Sequence, residues 1–86
     1  MNARFLNKSY RLIFTEHALI QMSLRDLDQE AIKNVIETGK RKSKEKKRKY
    51  WVFKELKGRA DNLISVSISI ESPNLIVITT MVNWRP

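Results

Sequence analysis

Leu63–Ile70, LISVSISI, alternates apolar and hydroxyl side chains from Ile64 onward, more cleanly than any other segment. Successive side chains of a strand point to opposite faces of its sheet. Ile64, Val66, Ile68 and Ile70 therefore face a core, and Ser65, Ser67 and Ser69 face away from it. Such a strand belongs to an antiparallel sheet with one face left uncovered. Tyr50–Glu55, YWVFKE, is aromatic and β-branched and reads as a second strand. Leu75–Val82, LIVITTMV, is the most apolar run and is expected at the centre of the sheet. Residues 57–62, KGRADN, and 72–74, SPN, are turns between these strands. Short turns join antiparallel neighbours.

Upstream of these strands the period is helical. Tyr10–Phe14, YRLIF, is a short first strand. Thr15 is placed to cap a helix over Glu16–Leu24, with Glu16 at its positive end. Ala18 and Met22, with Leu19 or Arg25, share one face of it. Asp28 caps a second helix whose apolar stripe is Ala31, Ile32, Val35 and Ile36. Gly39 is expected to end that helix in a left-handed conformation. The expected fold is α+β, a single domain over residues 1–86. Two N-terminal helices pack on one face of a three- to four-stranded antiparallel sheet, and the hydroxyl face stays open.

Charge is concentrated in one place. The chain has 86 residues and a net charge of +8. Residues 40–49, KRKSKEKKRK, hold eight basic side chains and one acidic one, so +7 of that charge sits in ten residues. A run of this kind is usually a solvated surface, and here it is expected to be a basic loop or arm. Its natural counterpart is a polyanion, with Lys42, Lys46, Lys47 and Arg48 as phosphate contacts. Phosphate contacts position a nucleic acid without reading its sequence.

Other classes are excluded by composition. There is no Cys and one His, so no disulfide framework, no thiolate zinc site and no metal-ligand spacing is present. No phosphate-binding glycine loop or other cofactor motif occurs. No apolar run approaches the roughly 18 residues of a membrane helix, and Met1–Lys8 lacks a secretory core. The expectation is a cytoplasmic protein without cofactor, metal or membrane contact.

His17, in the first turn of the first helix, is the one imidazole available as a general base. A lone His is more often structural than catalytic. Arg25 lies eight residues on, roughly 12 Å along the helix axis, so both can line one extended substrate. If Trp51 and Phe53 are core, Tyr50 and Lys54 join the serines on the open face, where they can stack on bases and contact phosphate. Trp84 is a second candidate for stacking. One of Thr79 and Thr80 must face away from the core. RNA suits this inventory, because its own 2′-OH is the nucleophile and the protein need supply only a base, an acid and cations.

The segment from Thr15 to Gly39, with His17, Ala18, Met22, Arg25, Leu27, Ile32, Val35 and Ile36, resembles the helical signature of domain-of-unknown-function family 4258. Ile78 and Thr79 match that family's closing strand, so the resemblance runs from about Phe14 to Asn83. Three features depart from the pattern: Gln21 stands where Arg is frequent, Asp26 where Gly is frequent, and the basic run is richer. The resemblance implies a fold similar to RelE-type and colicin E5-type ribonucleases. It also implies His17 as base, Arg25 as phosphate ligand and Thr79 as a substrate-positioning hydroxyl. The expected function is that of a metal-independent endoribonuclease of a toxin–antitoxin system, acting on mRNA or tRNA and held by an acidic antitoxin. The alternative is a non-catalytic RNA- or DNA-binding module.

Overall fold

The alternating segment is a strand, as its pattern demands, but the sheet around it is larger than expected. The computed structural model describes residues 1–58 and 62–86; Arg59, Ala60 and Asp61 of the expected turn lie outside the described residues. The elements are β1 (Asn2–Phe5), β2 (Lys8–Phe14), α1 (Glu16–Leu24), α2 (Gln29–Thr38), β3 (Lys40–Ser43), β4 (Lys49–Glu55), β5 (Leu63–Glu71) and β6 (Asn74–Val82). They form one six-stranded sheet in the order β1-β2-β6-β5-β4-β3. The β2–β6 pair is parallel and the other pairs are antiparallel.

The expectation of two leading helices on a three- to four-stranded antiparallel RelE-like sheet is therefore corrected. The helices are inserted between β2 and β3, the sheet has six strands, and it is mixed. Two strands escaped the pattern for different reasons. β1 is only four residues long, and its tight turn to β2 uses Leu6 and Asn7 at φ 53° and 66°. Positive φ at both central residues suits a two-residue hairpin, but Leu does not advertise it. β3 is KRKS, with every residue exposed, and carries no apolar alternation. It is a strand because its backbone pairs with β4 from Lys40↔Phe53 to Ser43↔Tyr50. The basic run is thus an edge hairpin, not a loose arm. Lysines are a common defence of such edges against aggregation.

Register assigns the faces. Tyr50↔Ile68, Val52↔Val66 and Lys54↔Ile64 lie on the helix-covered side, and Trp51↔Ser67 and Phe53↔Ser65 on the other. This reverses the expected placing of Tyr50 and Lys54. Lys54 Nζ donates to Asn34 Oδ1 at 3.0 Å and Thr38 Oγ1 at 2.6 Å on α2. The Tyr50 ring packs edge-on against Phe5 at 5.2 Å. Both side chains are structural supports beneath the helices. The core joins Ala3, Phe5, Leu12, Val52, Ile64, Val66, Ile68, Leu75 and Val77 of the sheet to Ala18, Met22, Ile32, Val35 and Ile36 of the helices.

The helix caps follow the local chemistry. Thr15 Oγ1 accepts from the Ala18 N–H at 3.0 Å, and Asp28 Oδ1 from the Ala31 N–H at 2.8 Å. Asp26, where the family pattern favours Gly, has φ 54° just past α1, a conformation Asp tolerates better than most residues. Gly39 departs from expectation: its φ of −77° and ψ of 172° are extended, not left-handed. Its need for glycine is spatial. A Cβ there would lie 2.5 Å from the Val35 carbonyl oxygen and 2.7 Å from that of Phe53.

Candidate functional site

Strand register lays out the helix-free face in transverse rows. Thr79 of β6, Ser67 of β5, Trp51 of β4 and Lys42 of β3 form one row. Met81, Ser65, Phe53 and Lys40 form the next. A bulge between Ser67↔Thr79 and Ile68↔Val77 leaves Ile78 unpaired. That single extra residue places Thr79 on this face and turns Thr80, opposite Val66, into the core. Thr80 is buried and its hydroxyl has no partner among the described residues.

The serines are not open to solvent, as the alternation suggested. Ser65, Ser67 and Ser69 are 0%, 1% and 7% exposed. Small side chains on a central strand become a floor when larger neighbours close over them, and here those neighbours are aromatic and cationic. Lys44 Nζ donates to Ser67 Oγ and sits 4.5 Å from the centre of the Trp51 ring. Trp51 meets Trp84 at 4.7 Å with the rings tilted by 56°. Ser65 Oγ donates to the Trp84 carbonyl at 2.5 Å. Arg85 stands 5.7 Å from the Phe53 ring and 3.4 Å from Glu55 Oε1. Partial burial, then the nearby charge of Lys49, lowers the Lys44 pKa from its ordinary value. A phosphate beside Lys44 would offset both effects.

Helix α1 reaches this face at the edge of β6. β2 pairs with β6 only as far as Phe14↔Val77. Beyond that point α1 takes over. The Thr15 N–H donates to the Val77 carbonyl at 3.1 Å, and Thr15 Oγ1 donates to that of Ile78 at 2.8 Å. Gln21 Oε1 accepts from the Thr80 N–H at 3.1 Å and from Thr79 Oγ1. Gln21 thus stands in for a missing strand neighbour. His17 and Arg25 lie four residues before and after it, so helical spacing puts the three in one row. His17 is exposed. Arg25, Gln21 and Thr80 also line a cleft of about 160 Å³ at the end of α1. Replacing Gln21 with Leu is expected to cost about 1–2 kcal/mol by stranding the Thr80 N–H, with a smaller loss for Gln21→Glu, in urea melts.

The structure therefore bonds Thr79 to Gln21, with His17 and Arg25 each four residues away from Gln21 along the chain. Lys42 shares the Thr79 row, while Lys46, Lys47 and Arg48 are exposed at the hairpin tip. Gln21, Lys44, Ser67 and Trp51 are the site residues that sequence reasoning missed. Gln21 had a signal in its i±4 relation to His17 and Arg25. Lys44 had none, being one cation among eight. Among the described residues, no group of three or more His, Cys, Asp or Glu could hold a metal ion, and no helix is long and apolar enough to cross a membrane.

Residues 14–82 match the family described as Domain of unknown function (DUF4258). The chain belongs to this family. No curated protein and no solved structure matches it. The DUF4258 segment runs from the last residue of β2 to the last of β6, and so includes His17, Gln21, Arg25, Lys44, Trp51, Ser67 and Thr79. Trp84 and strand β1 lie outside it.

Proposed function

We propose that the chain is an endoribonuclease that works without a metal ion, and that its reaction takes place where α1 meets the helix-free sheet face. One observation carries this reading. Lys44 is drawn across Trp51 onto Ser67, directly opposite Thr79, and Gln21 ties Thr79 to the helix that bears His17. A cation and two hydroxyls thereby share one transverse row of the sheet, and the imidazole-bearing helix is tied to its β6 end. In the proposed reaction His17 accepts the proton of a ribose 2′-OH. That oxygen attacks the adjacent phosphorus as the P–O5′ bond breaks, and the leaving 5′ oxygen takes a proton from water. The products are a 2′,3′-cyclic phosphate and a 5′-OH end. Lys44 and Arg25 hold the phosphate oxygens as charge builds on them, and Thr79 positions the ribose.

Incubation of total RNA with the purified protein in EDTA should give fragments with cyclic phosphate ends. No cutting of free RNA or of translating ribosomes would overturn the reading. On this reading the protein acts in the cytoplasm, on mRNA or tRNA. The same hairpin charge, left uncovered, suits an acidic antitoxin segment that folds on binding.

A second reading, a binding module without catalysis, is favoured by the concentration of charge in the β3–β4 hairpin. Changing Lys42, Lys46, Lys47 and Arg48 together to Gln should weaken RNA binding by at least about tenfold at low salt and flatten its salt dependence. Filter binding over a salt series checks this. If the variant binds but does not cut more slowly at limiting RNA, the hairpin is not part of the substrate path.

A further inference from the structure

We infer that Trp84, seated against Trp51, is a stacking platform for an unpaired base, so that the helix-free face takes single-stranded RNA and rejects duplex. This rests on the proposal that the ligand is RNA and names which form of it binds. Trp84 follows β6 yet is fixed to the sheet. Asn83, at φ 55°, turns the chain, and its N–H donates to the Leu63 carbonyl at 2.8 Å. The Trp84 carbonyl accepts from Ser65. Trp84 nevertheless stays 38% exposed. Lys44 occupies a face of Trp51. Trp84 is therefore the ring left available to a base.

The surroundings favour nucleic acid over a protein partner. Lys40 and Lys42 lie on the same face through their pairing with Phe53 and Trp51, and Lys49 joins them opposite Ser69. An aromatic ring among cations is the pattern that tracks a single strand, because every base offers a π-face and the cations follow the backbone. Bases inside a duplex are already stacked on both sides and offer no free π-face to a side chain. Trp51, against which Trp84 rests, is two strands from Thr79, or roughly 10 Å at the usual interstrand spacing, so a base on Trp84 and a phosphate beside Thr79 can belong to one short strand.

The chain has two tryptophans and both are in this pair, so tryptophan fluorescence, excited where tyrosine does not absorb, reports this site alone. The probe is a short 2′-O-methyl RNA, which lacks the attacking hydroxyl, used single-stranded and as a duplex with its complement. Single strand should quench the fluorescence and bind about tenfold tighter than duplex. Trp84→Ala should lower single-strand affinity, followed by anisotropy of a labelled strand, by about tenfold, and Trp84→Phe should restore most of it. Circular dichroism confirms that both variants fold. Binding of labelled single strand without quenching would overturn the platform and leave the RNA reading standing. Equal affinity for duplex would do the same. Failure to bind either form would overturn both.

Discussion

RNA cleavage by His17→Ala should be slower than by wild type by about a hundredfold or more, which corresponds to roughly 2.7 kcal/mol of transition-state stabilisation. A positioned general base contributes on this scale because it removes the proton as the 2′ oxygen attacks. The substitution is a clean test on structural grounds. His17 is exposed and is absent from the core cluster. Capping of α1 belongs to Thr15, and the attachment of α1 to β6 belongs to Thr15 and Gln21. Surface changes of this kind usually stay within about 0.5 kcal/mol in stability, so the melting temperature should move by no more than about 4 °C. Rates are measured under single-turnover conditions, and affinity on uncleavable 2′-O-methyl RNA. The rate should fall far more than the affinity. Cleavage at the wild-type rate would remove His17 from the reaction. A parallel fall in affinity would make it a binding residue and return the balance to the non-catalytic module.

The proposed site could be read in advance only where its signals were local. Helix caps at Thr15 and Asp28, the alternation of β5 and the stripe Ile32, Val35, Ile36 all depend on residues within a turn or two of one another. Each is found in place. The same locality makes the His17, Gln21, Arg25 row visible as spacing. Features decided by partners far along the chain were not legible. Both parities of β4 carry aromatics, so its own residues could not choose a face; Val52 packing opposite Val66 chose it. The bulge at Ile78 decided between Thr79 and Thr80, and a run as apolar as LIVITTMV does not mark where an extra residue sits. β3 is a strand only because β4 is there to pair with it. Lys44 is singled out from its neighbours by the position of Ser67, 23 residues away.

Gly39→Ala should destabilise the protein by about 3 kcal/mol, the upper part of the range for forcing atoms into filled space. This is a large share of the 5–15 kcal/mol typical of a folded domain. The cause is crowding and not backbone preference, because φ −77° is open to any residue. Two carbonyl oxygens stand in the way, and neither yields easily. The Val35 carbonyl accepts the last hydrogen bond of α2, from the Gly39 N–H at 2.8 Å. The Phe53 carbonyl belongs to β4, which is held between β3 and β5. A left-handed cap predicts a different ranking, with Asn tolerated better than Ala. Crowding predicts that Gly39→Asn is no milder than Gly39→Ala, since both introduce the same Cβ. Urea melts of the two variants decide between these causes. A loss below about 1 kcal/mol for Ala would show that α2 and β4 separate freely. The consequence for function follows from the same contact: a Cβ that displaces the Phe53 carbonyl also shifts Trp51 and the hairpin carrying Lys42 and Lys44. RNA affinity of Gly39→Ala, measured where the variant is still folded, should therefore fall with stability.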